Sequence, residues 1–92
     1  MVTWKIVYTM QAQKDANKLK SVGLKEKALE ILKILEENPF QNPPKYEKLA
    51  GDLIVAYSRR INIQHRIIYQ VYNDIKTGKV IHMWTHYEKE SN

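Results

Sequence analysis

The sequence predicts an α+β domain: an N-terminal strand, a two-helix hairpin, then an antiparallel sheet of three or four strands, with the helices on one sheet face. Three observations carry this. Apolar residues alternate over residues 2–8 and again at 67, 69 and 71, the period of a half-buried strand. They recur at helical spacing over residues 12–19 and 24–35. Two apolar and aromatic runs flank a short polar break at residues 62–65, as strands flank a tight hairpin connection.

In chain order, Val2, Trp4, Ile6 and Tyr8 alternate with Thr3, Lys5, Val7 and Thr9. This strand is expected in the same sheet as the later hairpin, finding its partner across the helices. Thr9 is an N-cap for a helix whose Ala12, Ala16 and Leu19 turn inward, while Gln13, Lys14, Asp15, Lys18 and Lys20 stay in water. Residues 21–23 end it. Leu24, Ala28, Ile31 and Leu35, widened by Leu32, make the apolar stripe of a second helix, and Glu26, Lys27, Glu30, Lys33 and Glu37 supply its polar side. Asn38-Pro39 stops that helix, and residues 39–44 form a stiff connector leading into Tyr46-Glu47-Lys48-Leu49. Gly51 and Asp52 bend the chain before a strand over 53–61. A second turn over 73–78 precedes the last strand, 80–86, and the polar residues 88–92 are expected to fray.

A chain of 92 residues makes one domain with a single modest core. Its 15 Lys and Arg outweigh 10 Asp and Glu, and the resulting charge of +5 favours an acidic partner, nucleic acid or protein. The absence of Cys excludes a disulfide framework and a thiolate metal site, which suits the cytoplasm. With no apolar run near 18 residues and no leader-like opening, the expectation is a soluble protein that does not engage a membrane.

Alternation also sorts the chemistry. Ser58 and Arg60 share a face of one strand; Arg66, Ile68 and Gln70 share a face of the next; His82, Trp84 and His86 share a face of the last. Ile67, Tyr69 and Val71, with Ile81, Met83 and Thr85, form the opposite, apolar set. Cations collected on one face repel unless an anion sits among them, and the simplest anion is a phosphate. Cleavage of RNA without a metal or cofactor needs a base for the 2′-OH proton, cations for the phosphorane oxygens and an acid for the departing 5′ oxygen. Glu47, Arg60 with Arg66, and His86 supply those types. His82 and His86 have a spacing compatible with a metal, but a third ligand is missing, so no metal is expected. Trp84 and Tyr57 read first as packing.

The chain resembles the YoeB/Txe toxins of the RelE superfamily. The resemblance is carried by Asn38-Pro39-Phe40, Glu47-Lys48-Leu49, Tyr57-Ser58-Arg59-Arg60-Ile61, His65-Arg66-Ile67-Ile68-Tyr69 and His86-Tyr87. It implies a RelE-like microbial RNase fold and the toxin of a bacterial type II toxin–antitoxin pair. Such a toxin enters the ribosomal A site and cuts translated mRNA, leaving 2′,3′-cyclic phosphate and 5′-OH ends, and it is held by a YefM-like antitoxin. By the same resemblance Glu47 is the general base, Arg60 and Arg66 bind and stabilise the phosphate, His86 is the general acid and Tyr87 helps position the RNA. Lys48 and Arg59 are further candidate RNA contacts, with Arg59 behind Arg60 because alternation turns it to the other face.

There are two departures. A lysine that the family carries shortly after the glutamate falls on Ala50, leaving Lys48 as the nearest cation; and the chain continues past His86-Tyr87 through residues 88–92. The antitoxin is expected to cover or distort the face of Arg60, Arg66 and His86. A homodimer is compatible with the sequence, which sets no stoichiometry. Two other functions fit the same charge: a ParE-like toxin acting on a protein such as gyrase, and a basic nucleic-acid-binding module without chemistry.

Overall fold

The computed structural model describes residues 3–49 and 56–84, and its helical half follows the periodicities of the sequence. Strand β1 (Lys5–Tyr8) leads into α1 (Met10–Ser21), and Thr9 between them uses both functions of its hydroxyl. The oxygen accepts the Ala12 N–H at 3.0 Å, capping the helix, and the O–H donates to the Ile81 carbonyl at 2.9 Å. Gly23, at φ 78°, makes the left-handed turn that starts the return helix, α2 (Lys25–Glu37). Ala12 and Leu19 of α1 and Ala28, Ile31, Leu32 and Leu35 of α2 are buried in one cluster with Ile61, Ile67, Tyr69, Val80 and Met83. Each large aliphatic side chain so buried contributes about 1.5–3 kcal/mol.

Asp15, expected in water, is 2% exposed. Its carboxylate accepts the Met83 N–H at 3.0 Å and the Gln11 side-chain amide at 2.9 Å, so burial is compensated and the helix is tied to the chain just after the last strand. Asp15→Ala, which leaves the Met83 N–H buried without its acceptor, is expected to cost about 1–3 kcal/mol in urea denaturation. Asp15→Asn keeps an acceptor oxygen and should cost less.

Among the described residues the sheet has five strands, in the order β1-β5-β4-β3-β2, with β2 at Glu47–Leu49, β3 at Ala56–Arg60, β4 at Arg66–Tyr72 and β5 at Thr77–His82. The α+β expectation holds, and the sheet departs from it in two ways. The first strand pairs in parallel with β5, since the helical hairpin supplies the long crossover that a parallel neighbour needs. The end of the connector is itself an edge strand, β2, antiparallel to β3.

A bulge separates Ile68, which pairs with His82, from Tyr69, which pairs with Val80. One extra residue on β5 breaks the alternation there. Val80 rather than Ile81 therefore joins Tyr69 in the core, whereas Met83 is buried as the sequence leads one to expect. Trp84 also leaves the cationic face. Its ring lies 4.3 Å from that of His65, with Lys18 Nζ 5.8 Å from its centroid, and its carbonyl oxygen is 2.8 Å from His65 Nδ1.

Arg59, expected as a secondary RNA contact, is 1% exposed and holds the connector from within. Its guanidinium donates to the carbonyl oxygens of Pro39 (3.0 Å), Gln41 (2.8 Å) and Pro44 (2.7 Å) and to the Tyr69 hydroxyl (3.0 Å). It also lies 5.0 Å from the centre of the Tyr46 ring, which packs edge-on against Phe40 and Tyr57. Tyr69 in turn donates to the Pro39 carbonyl at 3.0 Å.

Burial pushes the Tyr69 phenol above its ordinary value of 10.0, against the opposing pull of Arg59. The folded chain thus keeps this proton at a pH where the unfolded chain has lost it. The associated stability is complete below about pH 10 and declines as pH rises further. The melting temperature is expected to fall above that pH, and to fall less steeply in Tyr69→Phe.

The bend at Gly51 and Asp52, the positions Ala50, Thr85, His86 and Tyr87, and the tail over residues 88–92 lie outside the described residues.

Candidate active site

Strands β2, β3 and β4 bring the chemistry together because directly paired residues project from the same side of a sheet. Glu47 pairs with Ser58, Ser58 with Ile68, and Arg60 with Arg66. Glu47, Ser58, Arg60 and Arg66 thus share one face, as alternation predicts for the last three. Lys48 pairs with Tyr57, on the opposite face with Tyr69. Its expected contribution beside Glu47 is therefore not met by the register: a residue one step along a strand points the other way.

The four residues of the shared face line a cavity of about 210 Å³, to which Ile31, Pro44, Lys45 and Arg59 also contribute. Within it Arg66 Nη1 lies 3.3 Å from Glu47 Oε1 and 3.4 Å from Ser58 Oγ. The Glu47 side chain is 49% exposed and that of Arg66 20%, so the pair sits at the mouth, where solvent or a ligand reaches the carboxylate. Ser58 is buried beneath it. Its hydroxyl gives the guanidinium a fixed partner within the sheet and so biases which way Arg66 points. Arg60 is exposed next to Arg66 across the β3–β4 pair. Two guanidinium groups on adjacent strands repel each other, and the Glu47 carboxylate beside Arg66 reduces that repulsion. An anion bound between them would reduce it further, its oxygens accepting from both guanidinium groups.

The two described histidines lie outside this cavity. His65 is 8% exposed and engaged with Trp84. His82 Nδ1 is 3.9 Å from Asp15 Oδ2, toward α1. Ser58 and Lys45 are polar cavity residues to which sequence reasoning gave no chemical role. A signal for Lys45 existed in its position two residues before Glu47, hence on the same side of an extended segment.

A family model described as "YoeB-like toxin of bacterial type II toxin-antitoxin system" matches residues 7–87. Among solved structures, "YoeB/ParE toxin from Agrobacterium tumefaciens" is similar with 29% identity and a TM-score of 0.79, covering 90% of this chain and 99% of that one. A YoeB dimer from Staphylococcus aureus is similar with 30% identity and a TM-score of 0.77, over 94% of this chain and 100% of that one. The toxin–antitoxin heterotetramer of YoeB and YefM from the same species has 31% identity and a TM-score of 0.74, over 91% and 98%. No curated protein sequence matches significantly.

Proposed function

Since the chain belongs to the family of YoeB-like toxins of bacterial type II toxin–antitoxin systems, we propose that it is a ribosome-dependent, metal-independent endoribonuclease that cuts translated mRNA in the A site and so stops translation. The observation that carries this function is the carboxylate of Glu47 at 3.3 Å from Arg66, with Arg60 beside it, around one cavity. A base and two phosphate-binding cations stand within reach of a single phosphodiester.

In this mechanism Glu47 takes the proton from the 2′-OH, and the freed oxygen attacks the adjacent phosphorus. Arg60 and Arg66 bind the non-bridging oxygens and stabilise the charge that builds on them. The bond from phosphorus to the 5′ oxygen breaks as His86 protonates the leaving oxygen, and Tyr87 helps hold the RNA. The products are a 2′,3′-cyclic phosphate and a 5′-OH. DNA, lacking the 2′-OH, is not a substrate. Glu47 must leave Arg66 to accept a proton efficiently, and an arriving phosphate competes for the same guanidinium, so substrate binding and release of the base are coupled. The ribosome contributes alignment of the message.

The partner is a YefM-like antitoxin, by analogy with the S. aureus heterotetramer; a domain of this charge favours an acidic segment of that antitoxin folding over its cationic face. Self-pairing is proposed on the same footing, from the S. aureus dimer. The site of action is the cytoplasm, where translating ribosomes are; no helix among the described residues is long and apolar enough to cross a membrane.

The test is 5′-end mapping of mRNA in a translation extract. New ends bearing 5′-OH, appearing only with ongoing translation and absent with Glu47→Gln, are the expected result. Inhibition of gyrase supercoiling in a parallel assay, with no RNA cut, would instead assign a ParE-like activity. RNA binding that weakens steeply with salt, unaccompanied by cleavage, would leave only a binding module.

A further inference from the structure

We infer that Lys45, and not Lys48, is the third phosphate-binding cation of the cavity, contacting a phosphate that flanks the scissile bond. The inference rests on the nuclease function proposed above and adds a residue to it.

Three observations lead there. Lys45 lines the cavity together with Glu47, Arg60 and Arg66, and Lys48 does not. Register explains the difference: Lys48 pairs with Tyr57 on the other face, whereas Lys45 precedes Glu47 by two residues. The backbone at Lys45 is also held from within. The buried guanidinium of Arg59 takes the carbonyl of Pro44, the residue before, and lies against the ring of Tyr46, the residue after. With its neighbours on both sides fixed on the interior, the Lys45 side chain is directed to the cavity side. A flexible ammonium on an anchored backbone suits a phosphate at variable distance, as a point charge that needs no bidentate geometry.

The experiment measures single-turnover cleavage on programmed ribosomes by wild type, Lys45→Met, Lys45→Arg and Lys48→Met. Messages with one flanking phosphate at a time made neutral as a methylphosphonate are included. Lys45→Met retains most of the alkyl stem and is expected to lower kcat/KM roughly tenfold to a hundredfold, the loss of one charge-assisted hydrogen bond, mostly through KM. Lys45→Arg should restore most of it, and Lys48→Met should cut at the wild-type rate. For one neutralised phosphate the losses from Lys45→Met and from the message should not add. Wild-type cleavage by Lys45→Met, a defect confined to Lys48→Met, or additive losses at every flanking phosphate would overturn the assignment. The last outcome would move the Lys45 contact from mRNA to the ribosome. A wild-type protein that fails to cut would instead refute the nuclease function itself.

Discussion

Glu47→Gln is expected to slow RNA cleavage by roughly two to four powers of ten, the usual worth of a positioned general base. The substitution isolates the proton-accepting role. Glutamine has nearly the same shape and keeps a side-chain oxygen where Oε1 now accepts from Arg66 at 3.3 Å, so the cavity wall persists. An exposed ion pair contributes about 0–1 kcal/mol, and the variant should denature within that margin of wild type. His86→Gln is expected to lower the chemical step by a similar roughly two to four powers of ten if it is the acid. The two together should lose less than the product of the single losses, because the proposed base and acid would act in one concerted displacement. Single-turnover rates on programmed ribosomes, with denaturation curves alongside, check all three variants. A Glu47→Gln protein that cuts at the wild-type rate would remove the carboxylate from the mechanism, whatever becomes of His86.

Arg59→Met should have the largest effect on stability, on the order of 3–5 kcal/mol, much of the 5–15 kcal/mol by which a domain is usually stable. The charge of Arg59 is met inside the protein by three carbonyl oxygens, a phenol oxygen and the face of Tyr46. Removing the guanidinium leaves those oxygens facing a thioether that donates nothing. Unsatisfied buried acceptors each cost about 1–3 kcal/mol, and several share this one donor. Arg59→Lys should rescue little, since one ammonium cannot reproduce a planar fork aimed at Pro39, Gln41 and Pro44 together. Urea denaturation of both variants checks this; an Arg59→Met protein within about 1 kcal/mol of wild type would show that the connector keeps its shape without it. Cleavage should suffer too, because the connector carries Lys45 and leads into Glu47.

Much of the fold was legible because its signals are local. The cap at Thr9, the stop after Ser21 and the stripe of α2 each depend on neighbours within a turn or two of helix. Asp15 was legible in principle and misread. It stands three residues after Ala12 and four before Leu19, on the apolar side, and only its charge argued for water. The direction of β1 was out of reach, since its neighbour β5 lies some 70 residues further along and nothing in β1 says which way that neighbour runs. The bulge beside Ile68 was likewise invisible: one extra residue between Val80 and His82 breaks the alternation, so Val80 could not be placed in the core by counting back from Met83.

At the site, parity alone ranked Arg60 above Arg59, and the same parity, applied two residues before Glu47, would have found Lys45. The roles proposed for Glu47 and Arg66 came with the family resemblance, because a lone carboxylate and a lone guanidinium are common on any surface.

The pairing of β1 with β5 sets a timetable for the newborn polypeptide. Among the described residues the sheet neighbour of β1 is Thr77–His82, some 70 residues further along, so the ribosome makes β1 long before the strand it pairs with. The helices and the hairpin can assemble during elongation, but β1 must wait for β5, so that edge of the sheet is sealed only after every element between the two has been made.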